Sequence, residues 1–276
     1  MRPDSAKWDE FLREVARRCQ TTTREVNVQA LRWIQMNETE KRPKGDYDSL
    51  GYYLLPSVTQ IRAKWTRLEE GPRPYLQSRC LWPLLPQEKA VVKSWSDLGY
   101  GYSIDKGGGR KVPVQFTRNS LIVCISDGRS LVGFQALALS SNWTWAETVG
   151  GGTKDVKIRS TLLEGGRMSE HAAVRLSAPT RTGVLAVAEG VETAMSYTRL
   201  TGTPCWARLG GKNLGTFTPP PGVRKLIHVH DGDDEADRAY ERLKRRLMGR
   251  IEVVFHRDED GDMNDRLVRE TSRGEG

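Results

Sequence analysis

Three pieces of sequence decide the fold: VLAVAEGVETAMSYTRLTG (184–202), VRKLIHVHDGDDEADRAYERLKRRL (223–247) and IEVVFHRDEDGDMNDRLV (251–268). Each opens on a short apolar, β-branched run: Val184–Ala188, Leu226–Val229 and Ile251–Phe255, each the length of a buried strand. Between them, Thr193–Leu200 and Glu235–Met248 carry a helical pattern. Strand, helix, strand, helix, strand predicts an α/β domain with a parallel, Rossmann-like sheet and crossover helices. Ligands of open α/β sheets sit at the carboxyl ends of the strands. Those ends carry Glu189, then Asp231, Asp233 and Asp234, then Asp260, Asp262 and Asp265. A carboxylate after a strand often does no more than cap the next helix, and Asp233 or Asp234 is placed to do that. Repetition at three strand ends argues for more, because gathered like charges cost energy unless a cation compensates them. Oxygen ligands without a neighbouring Cys or His pattern favour Mg2+ or Mn2+ over zinc.

The same residues carry a resemblance. EGVETA at 189–194 and HDGDDEADRA at 230–239, with its Asp-x-Asp at Asp231 and Asp233, resemble the Toprim domain of topoisomerases and primases, most of all the primases of phages and mobile elements. Thr203-Pro204-Cys205-Trp206-Ala207 and Gly261-Asp262-Met263-Asn264-Asp265 stand where those primases have a Gly-Pro-x-Trp-Ala segment and a closing Gly-x-Asp-x-Asn-Asp segment. All four occur in order, each beside the expected strand. The resemblance implies that Glu189 is a metal ligand or general acid/base, that Asp231 and Asp233 bind metal, and that Asp262 and Asp265 are further ligands. Glu192, three residues beyond Glu189, is placed to cap or pair as readily as to bind metal.

The chain has 276 residues and a net charge of +8, with a pI near 9.4. That length suffices for one large domain or two modest ones. The acids gather at the expected strand ends while Lys and Arg dominate elsewhere, which suits a polyanionic partner such as nucleic acid. Cys19, Cys80, Cys124 and Cys205 are too scattered for a zinc ribbon and are expected to be reduced thiols. The sequence shows no signal peptide and no apolar run of membrane length, so a soluble, cytoplasmic protein of a bacterial host cell is expected, without a membrane partner.

Ahead of the acid-bearing pieces, three regions are expected. Residues 1–56 read as a helical amino-terminal pair, in which Trp8, Phe11, Leu12 and Val15 share one face and Val28, Leu31 and Ile34 another, followed by a polar linker at 37–48. A helical hairpin is a commoner use of such a pair than a DNA-reading helix-turn-helix. Residues 57–180 read as a basic, mixed α+β subdomain, and 181–276 as the Toprim domain. Within the subdomain, Ser57–Glu69 has helical spacing. Val112–Phe116, Ser120–Ser126 and Ser130–Leu139 read as strands, with turns at Arg118-Asn119 and Asp127-Gly128.

Further segments extend the resemblance. Tyr75-Leu76-Gln77-Ser78-Arg79 is similar to the Tyr-Leu-x-x-Arg-Gly entrance segment of phage-type primases, with Cys80 in place of the glycine. The basic, glycine-rich stretch 144–167 stands where those primases carry a Lys-x-x-x-x-Pro-Gly-Gly-Arg segment, with Glu164 in place of the proline. A flexible loop would have the same composition. The resemblance makes Lys157, Arg159 and Arg167, with Lys154, the expected nucleotide and template contacts. Gly210-Gly211-Lys212-Asn213 lacks the spacing and hydroxyl of a P-loop, yet Lys212 is placed to meet a phosphate.

The function implied by the resemblance is a DNA primase, a DNA-directed RNA polymerase that makes short RNA primers on single-stranded DNA for a phage or mobile element. Its implied partners are single-stranded DNA and NTPs, with room for a replicative helicase or a zinc-bearing partner. Toprim domains also serve nucleases, and a non-catalytic template-binding module would have the same charge. The chain is too short to hold the accessory domain of a tyrosine-bearing topoisomerase.

Overall fold

In the computed structural model, residues 53–105, 111–149, 156–230, 233–258 and 262–274 are described. The expected amino-terminal helices, Asp231, Asp260 and Lys154 lie outside the described residues. Residues 51–102 and 115–276 cluster as one unit.

The first part of this unit is a five-stranded sheet, built from β1 (Tyr53–Leu54), β2 (Val92–Asp105), β3 (Lys111–Ser126), β4 (Leu131–Leu139) and, after the short pair β5 (Thr148–Val149) and β6 (Val156–Lys157), β7 (Arg159–Leu163). Its order is β1-β2-β3-β4-β7, and the β1–β2, β3–β4 and β4–β7 pairs are antiparallel. Three helices accompany it: α1 (Val58–Lys64), α2 (Arg73–Ser78) and α3 (Pro86–Val91). Period-two alternation splits β3 between two cores. Leu121, Val123 and Ile125 face α2, while Ile122 faces α1 with Phe134, Ala136 and Ile61. The Asp127 turn closes the β3–β4 hairpin, its Oδ1 accepting from the Arg129 and Ser130 amides at 2.8 Å each. The turn expected at Arg118-Asn119 is instead continuous strand. Asn119 pairs with Leu139 in the ladder, and its side chain donates outward to the Ser141 carbonyl at 2.9 Å. Arg118 lies over the Phe116 ring and pairs with Glu147. Polar side chains at these two positions therefore have partners without the backbone turning.

The second part is the predicted α/β domain. It runs β8 (Val184–Ala188), α4 (Val191–Thr201), β9 (Cys205–Ala207), α5 (Gly211–Leu214), β10 (Lys225–His230), α6 (Asp234–Leu247), β11 (Glu252–Arg257) and α7 (Met263–Gly274). The four strands are parallel in the order β11-β10-β8-β9. Strand β8 is apolar throughout because both its faces are covered. Leu185 and Val187 pack toward α5 and α6, with Leu214, Ala239 and Leu243. Ala186 and Ala188 pack toward α4 and α7, with Ala194, Met195 and Leu267. Each helix is bounded by its own sequence. Gly202, at φ 69°, takes the left-handed turn that ends α4. Ala236, Ala239, Leu243 and Leu247 give α6 its buried stripe.

One extended segment joins the two sheets. Ala173 exchanges hydrogen bonds with Ser126 at the end of β3, and the next residue, Val174, does so with Ala207 at the end of β9. The two sheets also share an apolar core, in which Leu76, Val123 and Leu137 meet Ala188, Val191 and Met195. Behind it, fully buried Arg208 donates to the Ser169, Ala172 and Asn213 carbonyls and lies over Phe217, so the loop after β9 is tied on both sides.

Candidate active site

Strand β8 continues to β9 on one side and, after α5, to β10 on the other. Strand order therefore reverses at the carboxyl end of β8, the position where open α/β sheets bind ligands. Glu189 is the next residue, and its carbonyl accepts from the Leu209 amide at 2.8 Å, which fixes the neighbouring loop. A cleft of about 250 Å³ opens here, with Glu189, Glu192 and Asp262 on its parallel-sheet side and Lys157, Arg159 and Gln135 on the side of the five-stranded sheet.

The acids differ in how they are held. Burial raises the Glu189 carboxyl above its ordinary range; the nearby charges of Glu235 and Asp233 push it further, and Arg159 opposes them. Asp233 is also the N-cap of α6, accepting from the Ala236 amide at 2.8 Å. Capping and membership of the acid edge are thus compatible, since one carboxylate oxygen suffices for the cap. Asp262 likewise accepts from the Asn264 amide at 2.7 Å at the start of α7 while lining the cleft. Asp265 is exposed in the first turn of α7 and is not among the described residues lining the cleft. Glu235 joins the acid edge without having been expected there. A Cβ on Gly211 would lie 2.6 Å from the Glu235 Cγ, so the glycine lets this carboxylate approach the loop after β9. Among the described residues no three His, Cys, Asp or Glu side chains meet as a metal cage.

Glu192, on the same side of the cleft, is held differently. Its Oε1 accepts from the Tyr75 hydroxyl at 2.6 Å and Arg79 Nε at 3.1 Å, and its Oε2 accepts from Lys157 Nζ at 2.8 Å. Arg159 stands 3.9 Å away. Burial pushes this carboxyl up, but the Lys157 charge and hydrogen bond, the Tyr75 hydroxyl and the Arg79 charge outweigh it and hold the carboxyl below its ordinary range. Burial, and then the Glu192 charge, push the Tyr75 phenol up, so it stays a donor. Two glutamates of opposite character thus stand three residues apart, Glu189 after β8 and Glu192 in the first turn of α4. Arg167 and Lys212 are exposed.

Beyond the expected residues, the structure adds Tyr75, Arg79, Glu235 and Asn264. Asn264 is fully buried, and its Nδ2 donates to the Arg79 carbonyl and to Ser196 Oγ, each at 2.9 Å. The Tyr-Leu-x-x-Arg segment and the Asn of Gly-x-Asp-x-Asn-Asp were the signals for three of these, Tyr75, Arg79 and Asn264. Nothing in the sequence singles out Glu235 from the acids around it.

The Toprim domain family matches residues 184–273. No curated protein matches the chain in sequence. Among solved structures, the chain is similar to the primase fragment of the bacteriophage T7 primase-helicase protein, with a TM-score of 0.42 and 11% identity over 84% of this chain and 80% of that one. It is also similar to a chain from the bacteriophage T7 lagging-strand DNA polymerase with primase domains bound to an RNA/DNA hybrid and dTTP, with a TM-score of 0.38 and 12% identity over 63% and 78%. The parallel sheet, the acids at its strand ends and the family match agree: residues 184–273 are a Toprim domain.

Proposed function

We propose that this chain is a DNA primase that joins nucleoside triphosphates on a single-stranded DNA template, in the service of a phage or mobile element. The observation that carries the reading is the two-sided cleft. Glu189 stands on its acid side, at the switch point of the Toprim sheet, with Lys157 and Arg159 opposite. Toprim domains generally bind divalent metal, and the donor set fits one. The acids near Glu189 supply oxygen only, and burial, with the repulsion of those acids added to it, raises a carboxyl that a cation would lower. Glu189 and Asp233, together with Asp231 from the sequence reading, are the proposed holders of Mg2+ or Mn2+, and Asp262 and Asp265 are the further ligands proposed from sequence. Bound there, the metal would lower the pKa of an attacking 3′ hydroxyl and neutralise charge developing on the α-phosphate.

The chain's own groups account for the rest. Lys157 and Arg159, with Lys154, Arg167 and Lys212, are the proposed contacts for triphosphate and template. Glu189, with its raised carboxyl, is suited to take a proton from the 3′ hydroxyl or to ligate the cation. A replicative helicase or a zinc-bearing module is the proposed protein partner. Incubation with single-stranded DNA, Mg2+ or Mn2+ and labelled NTPs tests the reading. Short RNA products are expected, and Glu189→Gln or Asp231→Ala should abolish them while the fold persists. Shortened DNA would make the protein a nuclease, and binding without turnover a template-holding module. Dinucleotide synthesis retained by either variant would reject the residue assignment.

A further inference from the structure

Of the two glutamates in the Glu-Gly-Val-Glu turn, only Glu189 has the surroundings of a metal ligand. Glu192 is already bonded on both oxygens, to Tyr75 and Arg79 on one and Lys157 on the other. Its donors come from three places in the chain. Tyr75 lies in α2 and is 2% exposed. Arg79 follows α2, and its carbonyl is pinned by the buried Asn264 of α7. Lys157 belongs to β6, next to Arg159 at the start of β7. A lysine has a long flexible stem, and fixing its ammonium in one place ordinarily costs conformational entropy on binding. Here that fixing is done before any ligand arrives. Three cations surround one carboxylate, so the cluster keeps a positive surplus facing the acid edge.

We infer that Glu192 is a positioning residue: held by Tyr75 and Arg79, it aims Lys157 and Arg159 across the cleft at the polyphosphate chain of an incoming nucleotide, and it does not ligate the metal. The inference rests on the nucleotidyl-transfer reading above for the identity of the ligand, and on the hydrogen bonds alone for the role. Two physical effects oppose each other at this position. Removing a negative charge beside a phosphate site should tighten phosphate binding if only the through-space field matters. Removing the anchor should weaken it if the geometry of Lys157 matters.

Calorimetric titration of the full chain with inorganic tripolyphosphate at fixed Mg2+ separates the two. Glu192→Gln is expected to bind about tenfold more weakly than wild type, the size of a moderate coupling between touching groups. Lys157→Met should weaken binding too, and the double variant should lose less than the sum of the two single losses, because the anchor acts largely through the lysine. Unchanged or tighter binding by Glu192→Gln overturns the inference. So do additive losses in the double variant, and so does failure of the wild-type chain to bind. Circular dichroism checks the fold. Should Glu192→Gln not fold, Tyr75→Phe removes one hydroxyl from the anchor and is read in the same way: weaker binding supports the role, unchanged binding overturns it. Tripolyphosphate binding needs no turnover. Binding with the expected pattern but without RNA products would sink the primase reading alone; RNA products with an indifferent Glu192→Gln would sink this inference alone.

Discussion

A carboxylate at the end of a buried strand must be bonded, neutralised or met by a counter-charge. Glu192 is bonded; Glu189 is raised by burial and by Glu235 and Asp233. The consequence for stability has a definite sign. The unfolded chain loses this proton near the ordinary value of 4.5, while the folded chain keeps it to higher pH. Stability therefore falls as pH rises through that interval, and the deficit is complete above the folded pKa. Glu189→Gln should raise the thermal midpoint at neutral pH in metal-free buffer, and the gain should vanish as the pH falls below about 4, where both states are protonated. Mg2+ should stabilise the wild-type protein more than the variant. Thermal unfolding across pH, with and without chelator, checks both statements. At Asn264 the expected effect is on stability. Replacing it with Ala removes the donor shared by the Arg79 carbonyl and Ser196, and should cost about 1–3 kcal/mol in denaturant unfolding.

Between elements, a buried ion pair fastens α3 to α4. Arg199 donates from both terminal nitrogens to Glu88, at 2.8 and 2.7 Å, and also to the Leu81 and Pro83 carbonyls. The Glu88 side chain is 1% exposed. Arg199→Met would strand a buried carboxylate, and a loss of about 3–5 kcal/mol is expected by chemical denaturation. Replacing both partners with apolar residues should cost far less, because no charge is then left alone. No sequence pattern announces this joint, since its partners are 111 positions apart. The same distance explains which elements could be read. Strands β8 and β10 are legible because burial on both faces demands an apolar run, and the edge strand β11, none of whose residues is fully buried, is legible from the β-branched Ile251, Val253 and Val254. Helix α6 is legible from its cap and stripe. Strand β2 is harder to read, because Ser94 and Ser96 stand on the face that its alternation makes apolar, Asp97 takes a φ of 54° and the glycines at 99 and 101 are poor strand formers, and β9, at three residues, is too short to show a period. The acids of the site are local signals at strand ends. The Tyr75–Glu192 contact spans 117 positions and exists only once the two sheets have packed.

For the molecule as a whole, the useful electrostatic fact is separation. A net charge of +8 is distributed so that Glu189, Asp233, Glu235 and Asp262 gather at one edge of the Toprim sheet, facing Lys157 and Arg159. If phosphates lie along the cationic side, binding of single-stranded DNA must release counterions, and log affinity must fall linearly with log salt. Each cation in contact with a phosphate contributes about 0.7 to that slope on a single strand. Arg159→Met and Lys157→Met should each lower the slope by close to one such contribution, besides weakening binding. Lys225→Met is the control. It removes the same charge from the amino-terminal end of β10, where Lys225 pairs with Glu252, away from the carboxyl ends of the strands. Net charge alone would make all three variants equivalent, whereas a defined path for the strand makes the control keep the wild-type slope. Fluorescence anisotropy with a labelled oligonucleotide over a salt series measures this directly. Equal slopes for Arg159→Met and wild type would mean that nucleic acid runs elsewhere on the surface, and the cleft would then have to admit the nucleotide without the template beside it.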